Sequence, residues 1–168
     1  MNGALHLACL LLGSNIRPED NLPLAAAQLR QHLDVLKVSS VWETPPATSL
    51  GPNFLNAALL AHSPWEAEAL KQQVLRPLEA GLGRVRGADK NAPRPIDLDI
   101  IFFDGRLLDP TLWEQAHRAV PVAELFPDYL SGSGERLDQA ARRLAAVTPI
   151  RRRSEVSIQF QDRQSSLR

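Results

Sequence analysis

The chain has 168 residues, 44% of them hydrophobic and 23% charged, with 19 basic against 19 acidic side chains; this suits one globular domain with a sizeable core and leaves no net field to attract nucleic acid or an anionic membrane. Cys9 is the single cysteine, which excludes an internal disulfide and a cysteine-based zinc site, and His6, His32, His62 and His117 lack metal-ligand spacing. The longest apolar run near the start, Leu7 to Leu12, is too short to span a bilayer and has no basic leader or cleavage pattern, so the cytoplasm is the expected compartment.

Ala4 to Leu12 is rich in apolar residues and stops at Gly13-Ser14-Asn15, the pattern of a buried strand ended by a turn. Asn21 can cap a helix whose apolar residues Leu22, Ala26, Leu29 and Leu33 recur at near-helical spacing, with Pro23 tolerable in the first turn and an end near His32. Leu36 to Thr44 reads as a second strand, closed by Pro45-Pro46, and Phe54 to Leu60 as a third that can pair with it as a wide hairpin. Ser63-Pro64-Trp65-Glu66 has the form of a capping box and opens a helix on Leu70, Val74, Leu75, Leu78 and Leu82. Pro77 lies inside that helix and removes a ladder bond, which predicts a kink or break near Arg76. Asp97 to Phe103 is the next strand, and Asp104-Gly105 is a hairpin-type turn. Strand, helix, strand, strand, helix, strand is the order of a ferredoxin-like α+β sandwich, an antiparallel sheet with helices packed on its faces.

Beyond Arg106, Leu107 and Leu108 can return as a strand, and Val120 to Phe126 make a short turn of helix. Ser131-Gly132-Ser133-Gly134 reads as a flexible link before an amphipathic helix over Glu135 to Ala146 on Leu137, Ala141 and Leu144. Residues 1–150 are expected to form one domain and residues 151–168 a polar, flexible tail that opens on the solvated basic turn Arg151 to Arg153.

The strand that starts at Asp97 carries two acids at i and i+2. Alternation puts Asp97 and Asp99 on one face and Ile96, Leu98 and Ile100 on the other. Carboxylates that share a small volume repel and raise each other's pKa, and a divalent cation held through oxygen is a common remedy; the alternative is a solvated strand edge. Arg84, Arg86 and Arg94 flank the pair across a polar loop, a grouping suited to phosphoryl transfer, where cations and guanidinium forks neutralise charge that spreads over phosphate oxygens. The absence of a G-x-x-x-x-G-K-[ST] loop excludes a P-loop enzyme.

Four stretches together resemble the 6-hydroxymethyl-7,8-dihydropterin pyrophosphokinases of folate biosynthesis, over roughly Leu7 to Tyr129. They are Leu12-Gly13-Ser14-Asn15; Thr44-Pro45-Pro46 followed by Asn53-Phe54-Leu55-Asn56-Ala57-Ala58; Glu79 with Gly83-Arg84-Val85-Arg86; and above all Pro93-Arg94-x-x-Asp97-Leu98-Asp99-Ile100. The resemblance implies an ATP-dependent diphosphotransferase that moves pyrophosphate to the pterin hydroxymethyl and releases AMP. It implies Asp97 and Asp99 as ligands of two Mg2+ ions bound with ATP, and Arg84 and Arg94 as catalytic residues that hold the triphosphate. Gly13, Thr44, Pro45, Pro46, Ala47, Phe54 and Asn56 would bind the pterin, with Phe54 stacking on it. Arg76, Glu79, Arg84, Arg86, Arg94 and Ile100 would bind the nucleotide. The implied partners are ATP and the pterin, with neither nucleic acid nor membrane, and the chain would act as a monomer or a dimer. A second reading is a divergent paralogue that binds a pterin or nucleotide without transferring pyrophosphate.

Departures from the family pattern cluster in two places. Arg76 stands where the family usually has a nucleotide-side Gln, beside Pro77. After Gly105 the family's Val-Pro-His segment, with its later Arg and second stacking Phe, has no direct match; aligning back from Val120-Pro121 puts Asp109, Gln115 and His117 at those three positions. Asp109 would then place an anion near the triphosphate.

Overall fold

The computed structural model describes residues 3–48 and 50–159. β1 (His6–Ser14) lies at the centre of the sheet, and its residues from Ala8 onward are buried on both faces. It runs antiparallel to β4 (Phe54–Ser63) on one edge and to β5 (Asp97–Phe103) on the other. The far edge of β4 is shared by β2 (Asp34–Val38), against residues 59–62, and β3 (Trp42–Thr44), against residues 54–56. β6 (Arg106–Leu107) pairs with β5, and β7 (Arg151–Arg152) with β3.

Alternation along β1 divides the interior in two. Ala8, Leu10 and Leu12 pack under α1 (Pro18–Leu29) and a helical run made of α2 (Ala67–Leu70), a π-helical segment (Lys71–Leu75) and α3 (Arg76–Gly81). Cys9 and Leu11 point the other way, toward Val122 of α4 (Ala116–Leu125) and Leu137 of α5 (Leu137–Ala145). The result is an antiparallel α+β sandwich with helices on both faces. Leu10, Leu12 and Leu59 are fully buried, and each such burial stabilises the fold by roughly 1.5–3 kcal/mol. Cys9 packs as a neutral thiol, pushed up to about 12 by burial.

Side-chain chemistry moves several boundaries away from the pattern-based expectation. The single strand expected over Leu36 to Thr44 is split because the Ser39 hydroxyl accepts the Ala58 amide at 2.8 Å, while the Ser39 amide donates to Ala58 O at 2.8 Å. A hydroxyl thus stands in for a ladder carbonyl, and the chain bends before β3. α1 starts earlier than expected, at Pro18, with Arg17 in the left-handed region (φ 42°) before it. Asn21 is inside that helix and donates to Ile16 O at 2.7 Å rather than capping. The capping box at Ser63 is not made: Ser63 Oγ accepts from the Trp65 amide at 3.0 Å, a local turn, and the helix opens at Ala67.

The break expected near Arg76 falls at that residue, but as a change of helix type instead of a kink. The Arg76 amide donates to Lys71 O, five residues back, so the π segment ends there and Pro77 begins a new α-helical turn where no donor is required. On β5, Cys9 pairs with Phe102 and Leu10 with Ile100, leaving Ile101 as a bulge. Ile101 and Phe102 consequently both face α4, and strict alternation holds only up to Ile100.

The C-terminal third differs most. Pro110–Trp113 forms a 3-10 turn and α4 begins at Ala116, well before Val120. Ser131 to Gly134 is a closed turn, with the Ser131 amide donating to Glu135 O at 2.8 Å and the Gly134 amide to Ser131 O at 3.0 Å. Arg151 and Arg152, expected to open a flexible tail, pair with Glu43 and Trp42 as β7, and the Arg153 amide donates to Val41 O at 2.9 Å. Val156 then enters the core on the α1 side. The rest of the expected tail, from Phe160, lies outside the described residues. Among the described residues no helix is long and apolar enough to cross a membrane.

Candidate functional site

A cavity of about 560 Å³ lies on the α4 side of the sheet, bounded by the strands, by residues 44–48 and by the start of α4. Strand register builds its floor. Gly13 pairs with Asn56 of β4 on one side and Asp97 of β5 on the other, and Leu11 pairs with Asp99. One face therefore carries a carboxamide, a gap and two acids side by side. A Cβ on Gly13 would lie 3.2 Å from Asn56 Oδ1 and 4.0 Å from Phe54 Cδ1. Glycine here serves close approach of neighbouring side chains.

Asn56 is 3% exposed and donates through Nδ2 to Thr44 Oγ1 at 3.0 Å and to Trp42 O at 3.5 Å. β3 thereby fixes the plane of the carboxamide. Phe54, opposite Thr44 in the ladder, lines the same wall. Pro45 and Pro46 cannot donate to a ladder, so the chain leaves the sheet and Pro45 to Thr48 form the rim.

The acidic half is held by arginines. The Arg94 backbone is clipped to the end of β1: its amide donates to Asn15 Oδ1 at 2.8 Å, and the Asn15 amide donates to Arg94 O at 3.2 Å. Asp97 accepts from Arg94 Nη1 at 2.9 Å and from Arg84 Nη1. Burial would raise the Asp97 pKa, but the hydrogen bonds and charges of Arg84 and Arg94 outweigh it and hold the carboxyl below its ordinary range. Asp99 is pushed the other way, first by burial and then by the charge of Asp97, with Arg118 at 3.3 Å opposing only in part. Behind Arg84 stands Glu79, 2% exposed, which also takes Arg86 at 3.1 Å and Arg76 at 3.4 Å. Burial pushes Glu79 up to about 7 against the pull of Arg84. Glu79, Arg84, Asp97 and Arg94 form a line of alternating charge from α3 to the cavity.

The structure brings together Gly13, Thr44, Pro45, Pro46, Ala47, Phe54, Asn56, Arg94, Asp97 and Asp99 around one cavity. Arg84 reaches it through Asp97, whereas Arg76 and Arg86 stop at Glu79. Ile100 turns its side chain to the α1-side core. Gln115 and His117 line the cavity, and Asp109 sits one contact behind it, 2.8 Å from Arg118. Gln115 and His117 therefore share the cavity with Asp97 and Asp99. Burial, reinforced by Arg118, lowers the His117 pKa to about 4, so its ring is neutral at pH 7.

Sequence reasoning missed Arg118, Asn15 as the clip of Arg94, and the rim residues Glu114 and Thr148. Arg118 gave no signal, since its partner Asp99 is 19 residues away. Asn15 gave none, since its partner is 79 residues away. Among the described residues no three His, Cys, Asp or Glu side chains gather to hold a metal. Asp97 and Asp99 offer oxygen ligands only, and the Asp99 anion, disfavoured by burial and by Asp97, would be favoured by a cation. That is the donor set of magnesium, which is held by one or two carboxylates and completed by substrate phosphates and water.

An antiparallel α+β sandwich whose cavity joins a carboxylate pair flanked by guanidiniums to a carboxamide-and-aromatic pocket defines a protein that handles a phosphorylated anion beside a planar heterocycle. Residues 9–127 match the family 7,8-dihydro-6-hydroxymethylpterin-pyrophosphokinase (HPPK), and the chain belongs to that family. It is 30% identical over 159 residues to a 2-amino-4-hydroxy-6-hydroxymethyldihydropteridine pyrophosphokinase of Synechocystis, covering 86% of this chain and 80% of that one. A mitochondrial folate synthesis bifunctional protein of Arabidopsis thaliana is 33% identical over 132 residues, which are 72% of this chain but 24% of that protein. In fold, the chain is similar to a crystal structure of Plasmodium falciparum HPPK-DHPS, with a TM-score of 0.66 at 11% identity, covering 86% of this chain and 45% of that one.

Proposed function

We propose that the cavity transfers pyrophosphate from ATP to the hydroxymethyl group of 6-hydroxymethyl-7,8-dihydropterin, giving AMP and the pterin diphosphate. The observation that carries this reading is the strand register that sets Asn56 and Asp97 on either side of Gly13. Family membership favours transfer over a protein that only binds its ligands. We also infer that the sandwich is ferredoxin-like, on the support of its β5-β1-β4-β3 order, antiparallel throughout, and of α1 and the 67–81 helical run sharing one face.

In this reading the Asn56 carboxamide and the backbone of Thr44 to Ala47 hold the hydrogen-bonding edge of the pterin. Phe54 from the sheet and neutral His117 from α4 supply ring faces for stacking. The pterin hydroxymethyl oxygen forms a bond to the β-phosphorus of ATP as the bond from that phosphorus to the α,β-bridging oxygen breaks; the hydroxyl proton is lost and AMP leaves. Asp97 and Asp99 would hold two magnesium ions, which would neutralise the charge of the phosphates. Arg94 shares Asp97 with Arg84, so it can turn toward phosphate without leaving that carboxylate bare. Positioning and charge neutralisation by residues already in place carry the rate.

The test separates the two halves of the cavity by calorimetry on Asn56→Ala and Asp97→Asn. Asn56→Ala is expected to lose pterin affinity while keeping ATP with magnesium, and Asp97→Asn to do the reverse. Loss of neither ligand in either variant would overturn the assignment.

A further inference from the structure

We propose that Arg118 is this chain's own grip on the triphosphate from the α4 side, held in position by Asp109 and Gln115. The inference rests on the reading of the cavity given above and adds a binding residue that the family resemblance does not supply. Arg94 and Arg118 are the only lysine or arginine residues that line the cavity among the described residues. Arg94 stands on the Asp97 side; a phosphate facing α4 meets Arg118.

The guanidinium is held at Nε and at Nη1, and its Nη2 is open. Its Nε donates to Gln115 Oε1 at 2.8 Å, and its Nη1 lies 2.8 Å from Asp109 Oδ2 and 3.3 Å from Asp99 Oδ2. Nη2 has no hydrogen-bond partner among the described residues, so two of the five N–H donors remain for a ligand. Asp109 is itself fixed: its Oδ1 accepts from the Thr111 amide at 3.1 Å and from Thr111 Oγ1 at 2.5 Å, leaving Oδ2 for Arg118. The Asp109 charge, which looked misplaced beside a triphosphate, is therefore occupied by an arginine. The longer of the two ion pairs is the one to Asp99. A cation arriving at Asp99 removes that contact alone, and the Asp109 and Gln115 anchors keep the guanidinium facing the cavity.

A grip of this kind leaves a signature of opposite signs, because Arg118 competes with a free cation for Asp99 but attracts the same cation once it carries a triphosphate. The measurement uses the full chain with Mn2+ alone, read by electron paramagnetic resonance, and with Mn2+ plus α,β-methylene-ATP, read by calorimetry. Arg118→Met is expected to bind Mn2+ alone several-fold more tightly and the Mn2+–nucleotide about ten-fold more weakly, the loss of one charge-assisted contact. Pterin affinity should stay within about two-fold, since the carboxamide half is untouched. Arg118→Lys, which keeps the charge without the fork, should recover part of the nucleotide affinity. Weakening of both ligands together, or nucleotide affinity equal to that of the unaltered protein, would overturn the proposal. If the unaltered protein binds no triphosphate, the cavity assignment fails and the proposal with it; if it binds and Arg118→Met matches it, the proposal alone fails.

Discussion

His117 links the chemistry of the cavity to the stability of the fold, and the link can be measured. Its pKa is lowered from 6.5 to about 4, by burial first and then by Arg118, whereas in the unfolded chain it returns to the ordinary value. Between those values the unfolded state holds a proton that the folded state does not. Folding stability that is present above pH 6.5 is therefore lost as pH falls toward 4. The full effect has a ceiling of about 3 kcal/mol, and between pH 7 and pH 5 it amounts to roughly 2 kcal/mol. Glu79 runs in the opposite sense. Its folded pKa of about 7 exceeds its ordinary 4.5, so its contribution is present below pH 4.5 and is lost as pH rises through 7. A raw stability curve mixes the two, and a comparison with His117→Phe isolates one. Urea unfolding of both proteins at pH 7 and pH 5 should show the variant losing about 2 kcal/mol less than the parent on acidification. Equal losses would refute the burial of a neutral His117 in the folded state.

Glu79→Gln should flatten the part of the pH dependence that falls between pH 4.5 and 7, and the same urea titrations check it. In Gly13→Ala the new methyl sits 3.2 Å from Asn56 Oδ1, so the carboxamide must give by a few tenths of an ångström; pterin affinity is expected to fall about ten-fold with stability changed by less than about 1 kcal/mol. Arg153 joins Glu43, Glu155 and Glu19 and holds β7 against β3. Arg153→Ala should expose the segment after Ile150 to limited proteolysis and, because β3 carries Thr44, weaken pterin binding without affecting the nucleotide.

What was legible in the sequence follows from the range of the interactions involved. Asp97 and Asp99 could be placed on one face because a strand has a period of two, and that period survives up to Ile100, where the Ile101 bulge ends it. The order of elements through Phe103 was readable from apolar runs and turn residues. Arg17 before α1, the Ser39 hydroxyl in the ladder and the π segment before Pro77 each satisfy backbone groups in a way that a pattern of apolar residues does not encode. The sheet role of Arg151 and Arg152 was hidden because both side chains are exposed, and their pairing depends on an edge of β3 about 110 residues earlier. In the site, the motif residues announced themselves, but Arg118 did not. Its meaning lies in Asp109 and Asp99, which the chain brings together only after the 3-10 turn reverses into α4.

The most direct test follows phosphorus from ATP. With magnesium and 6-hydroxymethyl-7,8-dihydropterin, phosphorus NMR should show AMP and the pterin diphosphate appearing in equal amounts with no ADP, and Asp97→Asn should abolish both products. Formation of ADP, or no product from the unaltered protein while it binds both substrates, would contradict the account.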